Sequence, residues 1–214
     1  IFMNLDSINF IYAFILGCCV GSFINVLIIR MPKGQSLILP GSKCLRCGFS
    51  IRWFDNIPII SWIFLSGRCR NCHNKIAFTY PLIELLTGLL FILNIYSNPT
   101  LYENSPLFYR EFLGFIFSFL CLSLAILDIK HFWLPDLLTI IGLIVGLTAS
   151  LLVDFSSNVF EFSLTLNTFS AALLGFFLFY FLNLIGTKLF KKPVLGGGDA
   201  KFSALLGSWL GIKG

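Results

Sequence analysis

The chain has 214 residues, of which 57% are hydrophobic and 12% charged, with a net charge of +5 and a mean hydropathy of +0.89. A soluble domain carries roughly 25% charged residues, so a water-soluble globular protein is excluded and an integral membrane protein is expected. The positive charge is no nucleic-acid footprint, because the bases are confined to particular loops, and no nucleic-acid partner is expected.

Five apolar stretches predict spanning helices over 8–29, 76–96, 112–127, 134–153 and 164–185. Each is close to the ~20 residues needed to cross a bilayer. The third reaches that length only by extending back through Glu111 and Arg110. A sixth begins at Phe202 and is cut short at Gly214. The chain opens at Ile1 without a basic n-region, and its first apolar run is long enough to span, so no cleavable signal peptide is expected. The start at Ile1 and the stop inside an apolar run read as a fragment lacking C-terminal helices.

The connections alternate in charge. Asp6 precedes the first span without a base. Arg30, Lys33, Lys43, Arg46, Arg52, Arg68, Arg70 and Lys75 follow it. Glu103 and a single Arg110 come next, then Lys130, then Asp154 and Glu161, then Lys188, Lys191, Lys192 and Lys201. The positive-inside rule places the N-terminus outside and loops 30–75, 128–136 and 186–201 in the cytoplasm.

Loop 30–75 holds Cys44-Leu45-Arg46-Cys47 and Cys69-Arg70-Asn71-Cys72, separated by 21 residues. Two CxxC turns can present four thiolates to a tetrahedral zinc ion. Lys43, Arg46, Arg68 and Arg70 flank the turns and favour thiolates. Disulfides fit a reducing compartment poorly. Four protein ligands leave no open position for water, so the zinc expected is structural. His73 is expected to be a bystander. Cys18, Cys19 and Cys121 lie in spans and read as small packing residues.

Two carboxylates stand at the ends of apolar segments on the predicted cytoplasmic side. Asp128 follows the third span, and Asp199 follows Gly196-Gly197-Gly198, where glycine permits a sharp turn and close helix approach. Such carboxylates are costly at a membrane edge without a partner or a task. One account is an acid pair that activates water; the other is that both cap helices or pair with Lys130 and Lys201. Asp136, after Pro135, is expected to cap the fourth span and complement its dipole. There is no HExxH, no GK[ST] ending to the glycine run, and no serine nucleophile elbow.

Several segments in order resemble the bacterial type IV prepilin leader peptidase/N-methyltransferase family. They are Gly21-Ser22-Phe23-Ile24-Asn25-Val26 with Arg30-Met31-Pro32, the double CxxC enclosing Asp55-Asn56-Ile57-Pro58, and Tyr80-Pro81-Leu82-Ile83-Glu84. Asp128-Ile129-Lys130 with Leu134-Pro135-Asp136 and the GxGDxK run from Gly196 to Lys201 complete the set. The resemblance implies that Asp128 and Asp199 are the catalytic aspartates and that Cys44, Cys47, Cys69 and Cys72 are the cysteine box. It implies cleavage of a short basic leader from prepilin-like precursors at the cytoplasmic face of the inner membrane, after a glycine. It further implies methylation of the new amine with S-adenosylmethionine. No Rossmann-type glycine fingerprint marks a site for that cosubstrate; loop 30–75 and Glu84 are candidates, and pairing of Glu84 with Lys75 or Arg30 is the competing account. Family members usually have about eight spans, and this chain reaches only the start of the sixth.

The fold class expected is an all-α polytopic membrane protein with five full spans, a truncated sixth and a small cytoplasmic zinc-binding loop domain. Its parts are a first helix (1–29), a cysteine-rich domain (30–75) and a C-terminally incomplete peptidase domain (76–214). Two competing functions are a presenilin-like GxGD protease cutting inside the bilayer and a non-catalytic zinc-stabilised assembly factor. The first needs its aspartate mid-helix; the second needs neither aspartate.

Overall fold

The structure is a computed structural model that describes residues 5–97, 107–156, 163–191 and 196–212. Glu103, Glu161 and Lys192, used above for topology, lie outside these residues. All regular structure described is helical, apart from two isolated bridges in the cysteine loop, Lys43 with Ser50 and Arg68 with Lys75. The helices are α1 (Leu5–Arg30), α2 (Ile60–Phe64), α3 (Thr79–Ser97), α4 (Leu107–His131), α5 (Asp136–Ser156), α6 (Ser163–Phe190) and α7 (Gly197–Leu210). Five of them (α1, α3, α4, α5 and α6) are long and apolar enough to cross a membrane. The chain is a multi-pass membrane protein.

Two boundaries differ from expectation for physical reasons. The third predicted span, taken as 112–127, is α4 over Leu107–His131, and it does carry Arg110 and Glu111; two charges near a helix end are tolerated when length is needed to cross. The last helix begins at Gly197, not Phe202. Gly196 has φ −70° and ψ 148°, the extended geometry of an N-cap, and Gly197 and Gly198 are helical. None of the three has positive φ. The expected sharp glycine turn is therefore a helix start.

The chain divides into two compact units, residues 1–97 and 98–214. In the first, α1 and α3 run antiparallel. Gly17 lies against Gly88, Gly21 against Glu84 and Thr87, and Asn25 donates to the Tyr80 carbonyl at 3.1 Å. A Cβ on Gly17 would come within 2.7 Å of the Gly88 Cα, and one on Gly21 within 2.6 Å of the Glu84 Cα. Helices in lipid associate by close packing rather than by hydrophobic burial, and small residues four apart allow it.

In the second unit, α7 packs against α5 and α6. Ala204, Leu205, Ser208 and Trp209 are buried. The Trp209 indole donates to the Gly142 carbonyl at 2.8 Å, and Gly207 lies against the Ala171 backbone. The fourteen residues of α7 make a helix of about 21 Å, anchored along its length. By contrast α6 turns Phe169, Leu173, Phe177 and Phe181 outward, as a lipid-facing helix does.

Candidate active site and metal centre

In loop 31–78 only Gly67 and Cys69 are buried. No apolar core holds these residues, so something else must. The two CxxC turns repeat one backbone design. The Cys44 amide donates to the Phe49 carbonyl and Gly48 to Cys44; equivalently, Cys69 donates to Asn74 and His73 to Cys69, all at 2.9 Å. Gly48 (φ 71°) and His73 (φ 54°) occupy the same left-handed position. His73 thus closes a turn, the position where glycine is cheapest.

The two turns face each other. All four Sγ atoms lie within 4.8 Å of one another, with Cys44 and Cys72 3.9 Å apart. A disulfide needs about 2.05 Å, whereas a tetrahedral site with Zn–S near 2.3 Å sets sulfurs about 3.8 Å apart. The cluster therefore fits a metal ion. Its electrostatics agree. Backbone N–H groups of Cys47 and Arg46 bring the Cys44 thiol down to about 6. At Cys72 the Asn74 N–H lowers the value, but burial and the three neighbouring sulfurs outweigh it and push the thiol up to about 11. Four sulfurs this close cannot all ionise without a cation among them. Polar side chains tie one turn to the other. Arg46 donates to the Asn74 side chain at 2.9 Å, and Asn71 approaches the Cys47 sulfur at 3.8 Å.

Asp55 of the Asp55-Asn56-Ile57-Pro58 run grips the second turn. Arg70 meets its carboxylate with two nitrogens, Nη2 at 2.7 Å and Nε at 2.9 Å. The Arg70 guanidinium holds the Asp55 carboxyl below its usual range. Beyond Pro58, Ile59 carries φ 60°, an outlier for a β-branched residue. Its amide donates to Glu84 Oε2 at 2.7 Å, and the Ser22 hydroxyl also bonds that carboxylate. Glu84 is thus paired with neither Lys75 nor Arg30, the competing account above; it accepts from a backbone amide and a hydroxyl.

In the second unit, Asp128 lies in the last turn of α4, whose C-terminus is closed by the Phe132 amide donating to the Asp128 carbonyl at 2.8 Å. Pro135 disfavours helix at Leu134 and caps α5, its carbonyl accepting from Thr139 at 3.2 Å. The Asp128 side chain is exposed, and among the described residues it has no hydrogen-bonding or ionic partner, Lys130 included. Asp136 stands in the first turn of α5, as expected. Its carboxylate takes Lys201 Nζ at 2.6 Å, so Lys201 serves Asp136 and not Asp199. Asp199 accepts the Gly196 amide at 3.0 Å through Oδ2; its other oxygen has no partner among the described residues.

Two contacts bring the start of α7 to the α4–α5 connection. One is the Asp136–Lys201 pair. The other is Gly198, where a Cβ would come within 2.9 Å of the Leu134 Cβ. Asp128 lies six residues before Leu134, and Asp199 directly after Gly198. The neighbouring Gly197 faces open space, with nothing within 4 Å of its would-be Cβ. Of the three glycines in the run, packing requires only Gly198; a Cβ on Gly196 would meet nothing closer than 3.6 Å. We expect Gly197→Ala to leave the thermal unfolding midpoint close to the parent's, and Gly198→Val to lower it by pushing Leu134 away, at a cost of about 1–3 kcal/mol. Thermal unfolding in detergent checks both; equal effects would contradict this packing.

The antiparallel glycine seam and the Arg70–Asp55, Glu84–Ile59 and Lys201–Asp136 contacts were not anticipated. Only the first had a local signal, Gly17 and Gly21 in an apolar run.

A first helical unit with a four-cysteine cluster and a second with an aspartate in the first turn of a glycine-started helix together define a class. The chain belongs to the type IV leader peptidase family. Residues 15–98 match the bacterial peptidase A24 N-terminal domain, and residues 115–214 match the type IV leader peptidase family. The chain is 37% identical over 204 residues to a prepilin leader peptidase/N-methyltransferase of Myxococcus xanthus, covering 94% of this chain and 56% of that protein. It is 37% identical to the type 4 prepilin-like proteins leader peptide-processing enzyme of Escherichia coli, covering 91% and 74%. A prepilin leader peptidase/N-methyltransferase of Klebsiella pneumoniae is 35% identical, covering 94% and 84%. No solved structure matches the chain.

Proposed function

We propose that this chain is a membrane aspartic endopeptidase that removes the basic leader of type IV prepilin-like precursors and then N-methylates the exposed amine with S-adenosylmethionine. The observation that carries the reading is the similarity to enzymes of that name along nearly the whole chain.

The working parts are Asp128 and Asp199. Two neighbouring carboxyl groups do not both ionise readily; one keeps its proton while the other takes a proton from water. The water attacks the scissile carbonyl, and the protonated partner supports the developing oxyanion. The pair titrates as a unit, so the roles are not divided between them. No covalent intermediate forms. Asp128 stands three residues before the end of α4, a placement that suits a peptide bond held at the membrane boundary better than one in mid-bilayer. The basic loops support the cytoplasmic side of the inner membrane for that boundary.

Within this reading, 30–75 is a cysteine-rich domain in which Cys44, Cys47, Cys69 and Cys72 hold a structural zinc ion, and 76–214 contains the peptidase machinery. The test is in vitro processing of a model prepilin, read by mass. Loss of the leader is expected with or without S-adenosylmethionine, and gain of one methyl group only with it. An unprocessed precursor would reject the reading.

A further inference from the structure

Loop 31–78 carries an apolar face that its own unit leaves open. Helix α2, Ile60–Phe64, has two unlike sides. Trp62 turns inward: its indole donates to the Ile76 carbonyl at 3.3 Å, its ring meets Phe78 edge-on at 5.6 Å, and a Cβ on Gly67 would come within 2.8 Å of it. Ile60, Ile63 and Phe64 stand at i, i+3 and i+4, hence on one face, and are 51%, 63% and 85% exposed. Trp53, in the helical turn Trp53–Asn56 just before, is 82% exposed. An isolated exposed apolar side chain needs no explanation, but a whole helix face of them marks a surface with a partner.

The depth of α2 identifies that partner. The loop is held between two spans, leaving α1 after Arg30 and entering α3 at Thr79. The 19 residues of α3 make a helix of about 28 Å, against a hydrocarbon layer of about 30 Å. Its first turn must therefore stand at the hydrocarbon edge for α3 to cross. Glu84 lies five residues beyond Thr79, about 7.5 Å farther in. The amide of Ile59, the residue that caps α2, donates to the Glu84 carboxylate at 2.7 Å. A side chain leaning back toward the helix N-terminus recovers only part of that depth. Helix α2 is thereby tied into the zone where interfacial helices lie, their apolar faces buried about 5–10 Å into the headgroup–acyl boundary. Arg52 and Arg68, which bracket the segment, are exposed and make no salt bridge among the described residues; such bases meet headgroup phosphates. An exposed indole suits the same layer. We infer that Trp53 and the face of Ile60, Ile63 and Phe64 form a foot that inserts into the phospholipid bilayer at the headgroup–acyl boundary, with Arg52 and Arg68 on the phosphates. The cysteine loop is then a domain seated on the membrane, whose apolar residues are covered by lipid instead of by a core. This seat is independent of the proposed cleavage and methylation.

The full chain in vesicles of phosphatidylethanolamine and phosphatidylglycerol tests this, with a phospholipid bearing a photoactivated carbene precursor in its acyl chain and the labelled residues mapped by mass. Label is expected on Ile60, Ile63 or Phe64 as well as on the spans. The Trp53 contribution to fluorescence, taken as parent minus Trp53→Phe, is expected to be quenched by lipids brominated near the headgroup and shielded from aqueous acrylamide. The double variant Ile63→Ser/Phe64→Ser changes only exposed side chains, and should lower labelling of segment 53–64 several-fold with unchanged elution and metal content. Absence of lipid label from 53–64 together with full acrylamide access to Trp53 would assign the face to water and overturn the foot, as would parental labelling in the double variant. Label that appears only as the protein is diluted with lipid would assign the face to a second copy of this chain, and would overturn the foot equally.

Discussion

Asp128→Asn and Asp199→Asn are each expected to cut the rate of leader removal by about 10²–10⁴-fold or more, the usual contribution of a positioned acid or base. The protein should still insert and elute as the parent does. The structure gives reasons for the second half of that expectation. Asp128 is exposed, without a side-chain partner among the described residues, so its amide analogue loses no contact. Asp199 accepts one hydrogen bond from the Gly196 amide, and the side-chain oxygen of asparagine can still accept it. A cap of this kind contributes about 1 kcal/mol, small against the packing of α7. The double variant should be no worse than either single one, because groups acting as a unit are not additive. Near-parental cleavage in either single variant would remove that aspartate from the proposed pair.

The second large effect is on the metal. The parent chain is expected to hold about one zinc ion, and Cys44→Ser to lose most of it, as measured by metal analysis of the purified protein. The consequence should reach beyond the sulfurs. With only Gly67 and Cys69 buried between residues 31 and 78, the loop has no core to fall back on, and structural zinc sites contribute about 10–16 kcal/mol of apparent binding free energy in small domains. Limited proteolysis should therefore cut the loop of the variant, or of chelator-treated parent, far faster than the parent's. Unchanged metal content in the variant would remove the assignment.

The spans and the cysteine cluster were legible because each is written locally: a run of apolar residues has one use in a membrane protein, and paired CxxC turns have few. The start of α7 was misread for the same reason. A glycine run signals a break, and nothing near Gly196 reveals that Leu134, over sixty residues earlier, packs where a side chain on Gly198 would stand. Lys201 was weighed as a partner of Asp199, its neighbour; its partner Asp136 is 65 residues away. Glu84 was set against Lys75 and Arg30 because opposite charges attract, but a carboxylate buried between helices is better served by fixed donors such as the Ile59 amide. Long-range pairing and close approach are tertiary facts, and a single sequence carries them only where a small-residue spacing such as Gly17 to Gly21 betrays them.

Helix α7 packs against both α5 and α6 and is made after both. Of the proposed pair, Asp128 emerges from the ribosome two helices ahead of Asp199. During that interval Asp128 lacks the second acid of the proposed pair. On the proposed pairing, hydrolytic power belongs to the finished fold and not to any nascent stage, and a polypeptide stalled before α7 would occupy the membrane without threatening the peptides around it.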